Sequence, residues 1–196
     1  MNRYKIIYAD PGWTYKTWSG KGNGRSAGNH YLTMTIEEIH SLPVHKIACK
    51  DSVLLLWTTM PLLREGIETI ECWGFTYKTC AFTWVKKNKN TDSWFLGLGY
   101  YTRSNAELCL LGTRGSPLKR RSKSVRSVIA THRGAHSKKP HIVRDKIVEL
   151  FGDLPRMELF ARERVPGWDS LGYEVDGLDL RQSLYMINIS NLITLS

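Results

Sequence analysis

The tetrapeptide Asp10-Pro11-Gly12-Trp13 stands directly after the apolar run Lys5–Ala9. An acid, a carbonyl on a residue of fixed φ and an aromatic ring are thereby set at a strand end. In open α/β sheets, ligands bind outside the carboxyl ends of the strands. Methylation of an exocyclic amine on a base calls for such a set of groups. The amine of adenine is a poor nucleophile because its lone pair is delocalised into the ring. Two acceptors, the Asp10 carboxylate and the Pro11 carbonyl, would take its two N–H bonds and draw the nitrogen toward tetrahedral geometry, while Trp13 stacks on the ring. Positive charge developing on that nitrogen is stabilised by a carboxylate already in place. Taken alone, a tetrapeptide of this composition is more often a simple turn.

Charge is distributed unevenly along the 196 residues. Between Arg114 and Arg144 lie ten Lys/Arg and no acid; removing them from 28 basic residues leaves 18, against 18 acidic ones. One segment therefore carries the whole excess of +10. Such a run suits the phosphates of a nucleic acid, with Lys119, Arg120, Arg121 and Lys123 as the expected contacts. Its bland alternative is a solvated basic loop.

The elements that must position these groups follow from periodicity. Apolar runs at Lys5–Ala9, Val53–Thr58, Thr79–Lys86, Ala106–Leu111, Arg126–Ala130 and Met157–Ala161 read as strands. Helices are expected at Thr35–His40, Pro61–Trp73 and Pro140–Phe151, the last closed by Gly152. This alternation specifies an α/β fold in one domain over residues 1–180. The nearly all-apolar first strand is expected at the centre of a parallel sheet. Residues 18–30 (WSGKGNGRSAGNH) read as a Gly-rich lid or substrate loop, since they lack the ending of a phosphate loop. The tail 181–196 shows no clear period and is given no role. The four cysteines lack metal-ligand spacing, and three sit in apolar runs, so all are expected as reduced core residues without zinc. No run of eighteen apolar residues and no leader is present, which suits a soluble cytoplasmic protein away from membranes.

The ordered segments ADPGWTY, NHYLTM, LLLWTT, FTWVKKN, GYYTRSNAELCLLGTRG, HSKKP and RMELFARERVPGWDSLGYEVDG resemble the DPPW-type adenine-N6 methyltransferase family. That family includes the catalytic subunit of the eukaryotic messenger-RNA adenosine methyltransferase and compact bacterial and phage DNA enzymes. The resemblance covers about residues 4–180. It implies a Rossmann-like sheet in permuted order, with the catalytic motif N-terminal and much of the S-adenosylmethionine site C-terminal. It also implies a nucleic-acid partner, DNA in preference to RNA, in a bacterial or phage-infected cell. Oligomeric state is left open, a homo-oligomer among the options.

By position, the resemblance makes Asp10, Pro11 and Trp13 the catalytic set, with Asp10 also beside the cofactor. Tyr31 and Glu107 fall beside the target base, and Lys139 near both cofactor and substrate. Arg162 and Arg164 match positions at the cofactor's ribose, and Tyr173 and Glu174 match an Asn-Gln pair that holds its hydroxyls. Glu107 has a plain alternative as a carboxylate paired with Arg103, and Glu158 and Trp168 are expected to be structural. Two departures stand out: Gly12 replaces a second proline and loosens the turn, and Tyr173 replaces an asparagine. A catalytically silent nucleic-acid-binding relative is the rival reading. Silent members typically lose the acid or the aromatic of the tetrapeptide, and both are present here.

Overall fold

A computed structural model describes residues 4–13, 34–134 and 138–193, with side chains as far as 187. Among the described residues, seven strands form one mixed sheet: β1 (Tyr4–Ala9), β2 (Ala48–Thr59), β3 (Thr76–Lys87), β4 (Ala106–Arg114), β5 (Val128–His132), β6 (Arg156–Leu159) and β7 (Asp169–Leu171). Their order is β5-β3-β4-β2-β1-β6-β7. Only β4 runs against its neighbours, so the carboxyl ends of the other strands and the start of β4 share one edge. β1 pairs in parallel with β2 on one side and β6 on the other, which brings residues near the two ends of the chain together.

The sequence of β1 explains its place. Ile6 and Tyr8 point into one apolar layer and Ile7 and Ala9 into the other, so a central strand buried on both faces has no polar side to spare. One layer is closed by α1 (Ile36–His40), α2 (Leu63–Cys72) and α5 (Leu180–Ile193). The other is closed by α3 (Ile142–Phe151), whose Val143, Ile147 and Phe151 meet Phe82, Trp84 and Ile129 of the sheet. Thr35 caps α1 in a reciprocal box with Glu38, which fixes the helix start one residue later than the pattern suggested. Pro61 lies in a 3-10 turn, Met60–Leu62, before α2 begins.

Several elements escaped the sequence reading. β7 has three residues, too few to show a period. The four-residue α4 (Tyr173–Asp176) is equally short. The tail contains α5, whose Leu180 and Leu184 are buried in the core and whose Arg181 pairs with Asp179 and Glu38. Of the four cysteines only Cys109 is buried, and Cys72, expected in the core, is exposed on α2. No helix among the described residues is long and apolar enough to cross a membrane.

Candidate active site

Asp10 sits one residue past β1, at the sheet edge where β4 begins. Its carboxylate accepts a hydrogen bond from Lys139 at 2.6 Å. Lys139 also lies 3.2 Å from the carboxylate of Glu107, the second residue of β4. Lys86, at the end of β3, donates to the other oxygen of Glu107. Four strand or loop ends thus assemble a neutral quartet of two acids and two lysines, and the Lys139 ammonium stands 5.5 Å over the ring of Trp57 on β2. Glu107 is therefore held by lysines, not by Arg103, which is exposed.

Electrostatics follow from this burial. Desolvation pushes the Asp10 carboxyl above the ordinary aspartate range, and Lys139 only partly pulls it back. For Glu107 burial also pushes upward, but Lys139 and Lys86 together outweigh it and hold the carboxyl below the usual range. Burial opposes the charge on Lys139, yet the two acids keep it protonated, above an ordinary lysine. Of the two acids, Glu107 is the more firmly ionised. Asp10 is the one whose affinity for a proton has been raised.

The tetrapeptide itself is more tightly bound into the fold than its composition suggested. The Pro11 carbonyl already accepts from the Trp13 N–H at 3.0 Å, so one of its lone pairs remains for a ligand. Trp13 was expected as an open stacking platform; it is 5% exposed and lies in the apolar layer with Ala9 and Met34. Its indole N–H donates to the Trp57 carbonyl at 3.1 Å, and the Trp57 indole donates to the Tyr8 hydroxyl at 2.7 Å. Trp13 in this state is a wall that fixes the turn.

Beside Asp10 lies a narrow, open cleft of about 20 Å³, lined among others by Tyr8, Lys138, Lys139, Phe160, Arg162 and Glu163. Phe160, just past β6, has φ 59°, a left-handed conformation rare for a bulky residue. Backbone strain of this kind clusters at functional sites, and Phe160 lines the cleft. Gly172, past β7, has no space for a side chain, since an added Cβ would lie 2.2 Å from the Ala161 carbonyl oxygen. On the far wall Arg144 grips Glu158 through two hydrogen bonds of 2.7 and 2.6 Å. Burial raises the Glu158 carboxyl even so, and the pair is the structural feature expected of Glu158. Trp168 is buried against Tyr8, also as expected.

The other sequence candidates divide. Arg162 lines the cleft and pairs with Glu174 at 3.6 Å. Arg164 is exposed and does not line it, and Tyr173 is 55% exposed at the start of α4. Tyr31 and the 18–30 loop lie outside the described residues. Lys119 and Arg121 are not brought to Asp10. They line a separate groove with Lys5, Phe151 and Leu154, at the opposite, amino-terminal edge of β1, with Arg120 and Lys123 exposed beside them. The basic segment crosses from one sheet edge to the other, so a uniform charge run in sequence is two surfaces in space. Lys86, Trp57, Phe160 and Glu163 were missed. FTWVKKN and MELFAR did show a cation at a strand end and an aromatic past one, but nothing local marks which such residues meet.

The sequence profile of the family described as MT-A70 matches residues 4–174. The chain is 37% identical to the Type II methyltransferase M.MunI of a Mycoplasma species, over 88% of this chain and 78% of that protein. It is 28% identical to a probable N(6)-adenosine-methyltransferase MT-A70-like protein of Oryza sativa, over 92% of this chain but 24% of the other. It is also 28% identical to the N(6)-adenine-specific methyltransferase METTL4 of Mus musculus, over 88% of this chain and 37% of that one.

Proposed function

The chain belongs to the MT-A70 family, and on that premise we propose that it transfers a methyl group from S-adenosylmethionine to the N6 amine of adenine in DNA. One observation carries the reading. The Asp10 carboxylate, an acceptor for the amine, lines the same cleft as Arg162, Glu163 and the strained turn at Phe160. Nucleophile and methyl donor would therefore meet at one strand end.

The residues present fit that donor. Glu163 Oε1, 3.4 Å from His141 Nδ1 and 3.9 Å from the Arg144 guanidinium, makes no hydrogen bond among the described residues and is left to accept one from an ammonium or hydroxyl. Arg162, Glu163 and Glu174 would hold the cofactor, which when bound supplies a methyl group on a positively charged sulfur. The remaining work belongs to the protein. Asp10 accepts one N–H of the amine and the free lone pair of the Pro11 carbonyl accepts the other, so the nitrogen lone pair is directed at the methyl. Lys139 shares its charge between Asp10 and Glu107, so Asp10 can turn to the amine while Glu107 retains the lysine. Trp13 and Trp57 keep the turn rigid behind them.

DNA is favoured over RNA because the Type II methyltransferase is matched over most of its length, whereas the rice adenosine methyltransferase is matched over about a quarter. The test is a radiolabelled-cofactor assay on unmethylated DNA and RNA followed by nucleoside analysis. Label in N6-methyldeoxyadenosine is the expected result, and label only in RNA or in no nucleoside overturns it.

A further inference from the structure

We propose that the loop joining β3 to β4 is a wedge, residues 94–101, that enters a DNA duplex beside the target adenine and fills the space that base leaves. The inference rests on the activity proposed for Asp10. Five of the twelve large apolar side chains exposed on the described surface fall within these eight residues: Trp94, Leu96, Leu98, Tyr100 and Tyr101. Tyr101 is 94% exposed and Leu96 and Leu98 about 70%. So concentrated an apolar display is unfavourable in water and marks a contact surface.

Its root is fixed. Phe95 N–H donates to the Lys86 carbonyl at 2.9 Å and Gly97 N–H to the Ser104 carbonyl at 2.9 Å, closing the base of the loop like a short ladder. A Cβ at Gly97 would lie 2.1 Å from that Ser104 oxygen, so the two arms touch. The Arg133 guanidinium covers Phe95 at 4.2 Å. At the tip the Tyr100 and Tyr101 rings meet edge to face at 4.7 Å, and Tyr101 is held at φ 63°. A strained, exposed aromatic on a braced loop is a presented side chain.

Position and charge select the partner. Lys86, at the loop's root, is joined through Glu107 and Lys139 to Asp10, so the wedge and the reacting acid share one sheet edge. Lys89, Arg103 and Arg133 are exposed around the loop, and its one acid, Asp92, is paired with Lys87. Apolar tips in a cationic surround suit base steps between phosphates. The need is steric: Asp10 has a side-chain exposure of 18% and cannot be reached by a base still stacked in a duplex. Such a base must be extruded, and the energy of unstacking is recovered when apolar side chains fill the gap.

The experiment compares the wild-type chain with Leu98→Ala/Tyr100→Ala/Tyr101→Ala in initial rates of methyl transfer to unmethylated genomic DNA, native and heat-denatured. Tm and cofactor affinity, measured by calorimetry, should match the wild type. On native DNA the variant should lose about tenfold or more, and on denatured DNA less than about twofold, because there the bases need no extrusion. Equal loss on both substrates, no loss on either, or a wild type active on denatured DNA alone overturns the wedge while leaving adenine methylation standing. So does a change in sedimentation from dimer to monomer, which would make the loop a contact between copies of the chain. A wild type that methylates no adenine at all would instead bring down the proposed function.

Discussion

The two edges of the sheet use charge in opposite ways. At the carboxyl edge, Asp10, Glu107, Lys86 and Lys139 are mostly buried and mutually paired, and Arg144 and Glu158 form a second closed pair close by. At the amino edge, Lys119, Arg120, Arg121 and Lys123 are exposed, and their side chains form no ion pair among the described residues. All six of the lysines and arginines that follow residue 114 in these two groups belong to one uninterrupted basic run. Buried and paired, such a charge fixes geometry and is costly to lose; exposed, it adds to a field that salt screens. Counting charges along a chain does not distinguish the two uses.

The largest effect should come from opening a buried pair. Arg144→Met leaves the Glu158 carboxylate in the core without its two hydrogen bonds. Breaking one side of such a pair costs about 3–5 kcal/mol, and urea unfolding should show a loss of that size with little change in the slope. A loss within about 0.5 kcal/mol, the level of an ordinary surface change, would erase the contrast between the edges.

Next in size is Asp10, the acid proposed to receive the amine. Asp10→Asn keeps the shape and removes the charge, and should lower kcat by about a hundredfold or more, or at least ~2.7 kcal/mol. Stability should hold or rise. Folding raises the Asp10 carboxyl above its unfolded value, so ionised Asp10 costs stability, and the cost appears as pH rises from the unfolded pKa through the folded one. The neutral amide removes it. Substantial turnover in this variant would mean that another group receives the amine.

How much of this was legible beforehand depended on locality. The strand ending in Asp10, the helix closing at Gly152 and the buried Trp168 are each written in a few adjacent residues, by apolar runs and turn chemistry. Glu107 and Lys139 were found through motif position, but their partnership was not. Residues 86, 107 and 139 meet only because β4 runs against β3 and β2, and antiparallel reversal has no signature in a single strand's composition. Trp13 shows the same limit, since an aromatic after a turn reads alike whether it faces a ligand or, as here, hydrogen-bonds to a neighbouring strand. The basic run, continuous in sequence, is divided between two surfaces because β5 carries the chain across the molecule inside it.

Lys139 sharpens the comparison through pH. In the proposed reaction Asp10 receives the amine as a carboxylate, so the rate should fall as pH drops through its pKa. Burial sets that pKa high and the Lys139 ammonium lowers it, so Lys139→Met should move the acid limb of kcat/KM to higher pH. Lys139→Arg keeps the charge and should leave the limb near its original place. An unmoved limb in both variants would show that the titrating group is not Asp10.

The smallest effect is expected from the exposed edge. β1 has six residues, and at about 3.3 Å each its two ends stand roughly 20 Å apart. That exceeds the screening length of about 8 Å at physiological ionic strength, so cations beside Lys5 contribute little at Asp10. Neutralising Lys119, Arg120, Arg121 and Lys123 together to Gln should therefore leave kcat unchanged and alter the slope of log DNA affinity against log salt by less than about one. Were all four in contact with duplex phosphates, the slope would shrink by about three to four. A salt titration of DNA binding separates these outcomes. The large change would mean that the DNA reaches around the sheet to its amino edge, and that the paired edge is one half of the interface instead of the whole.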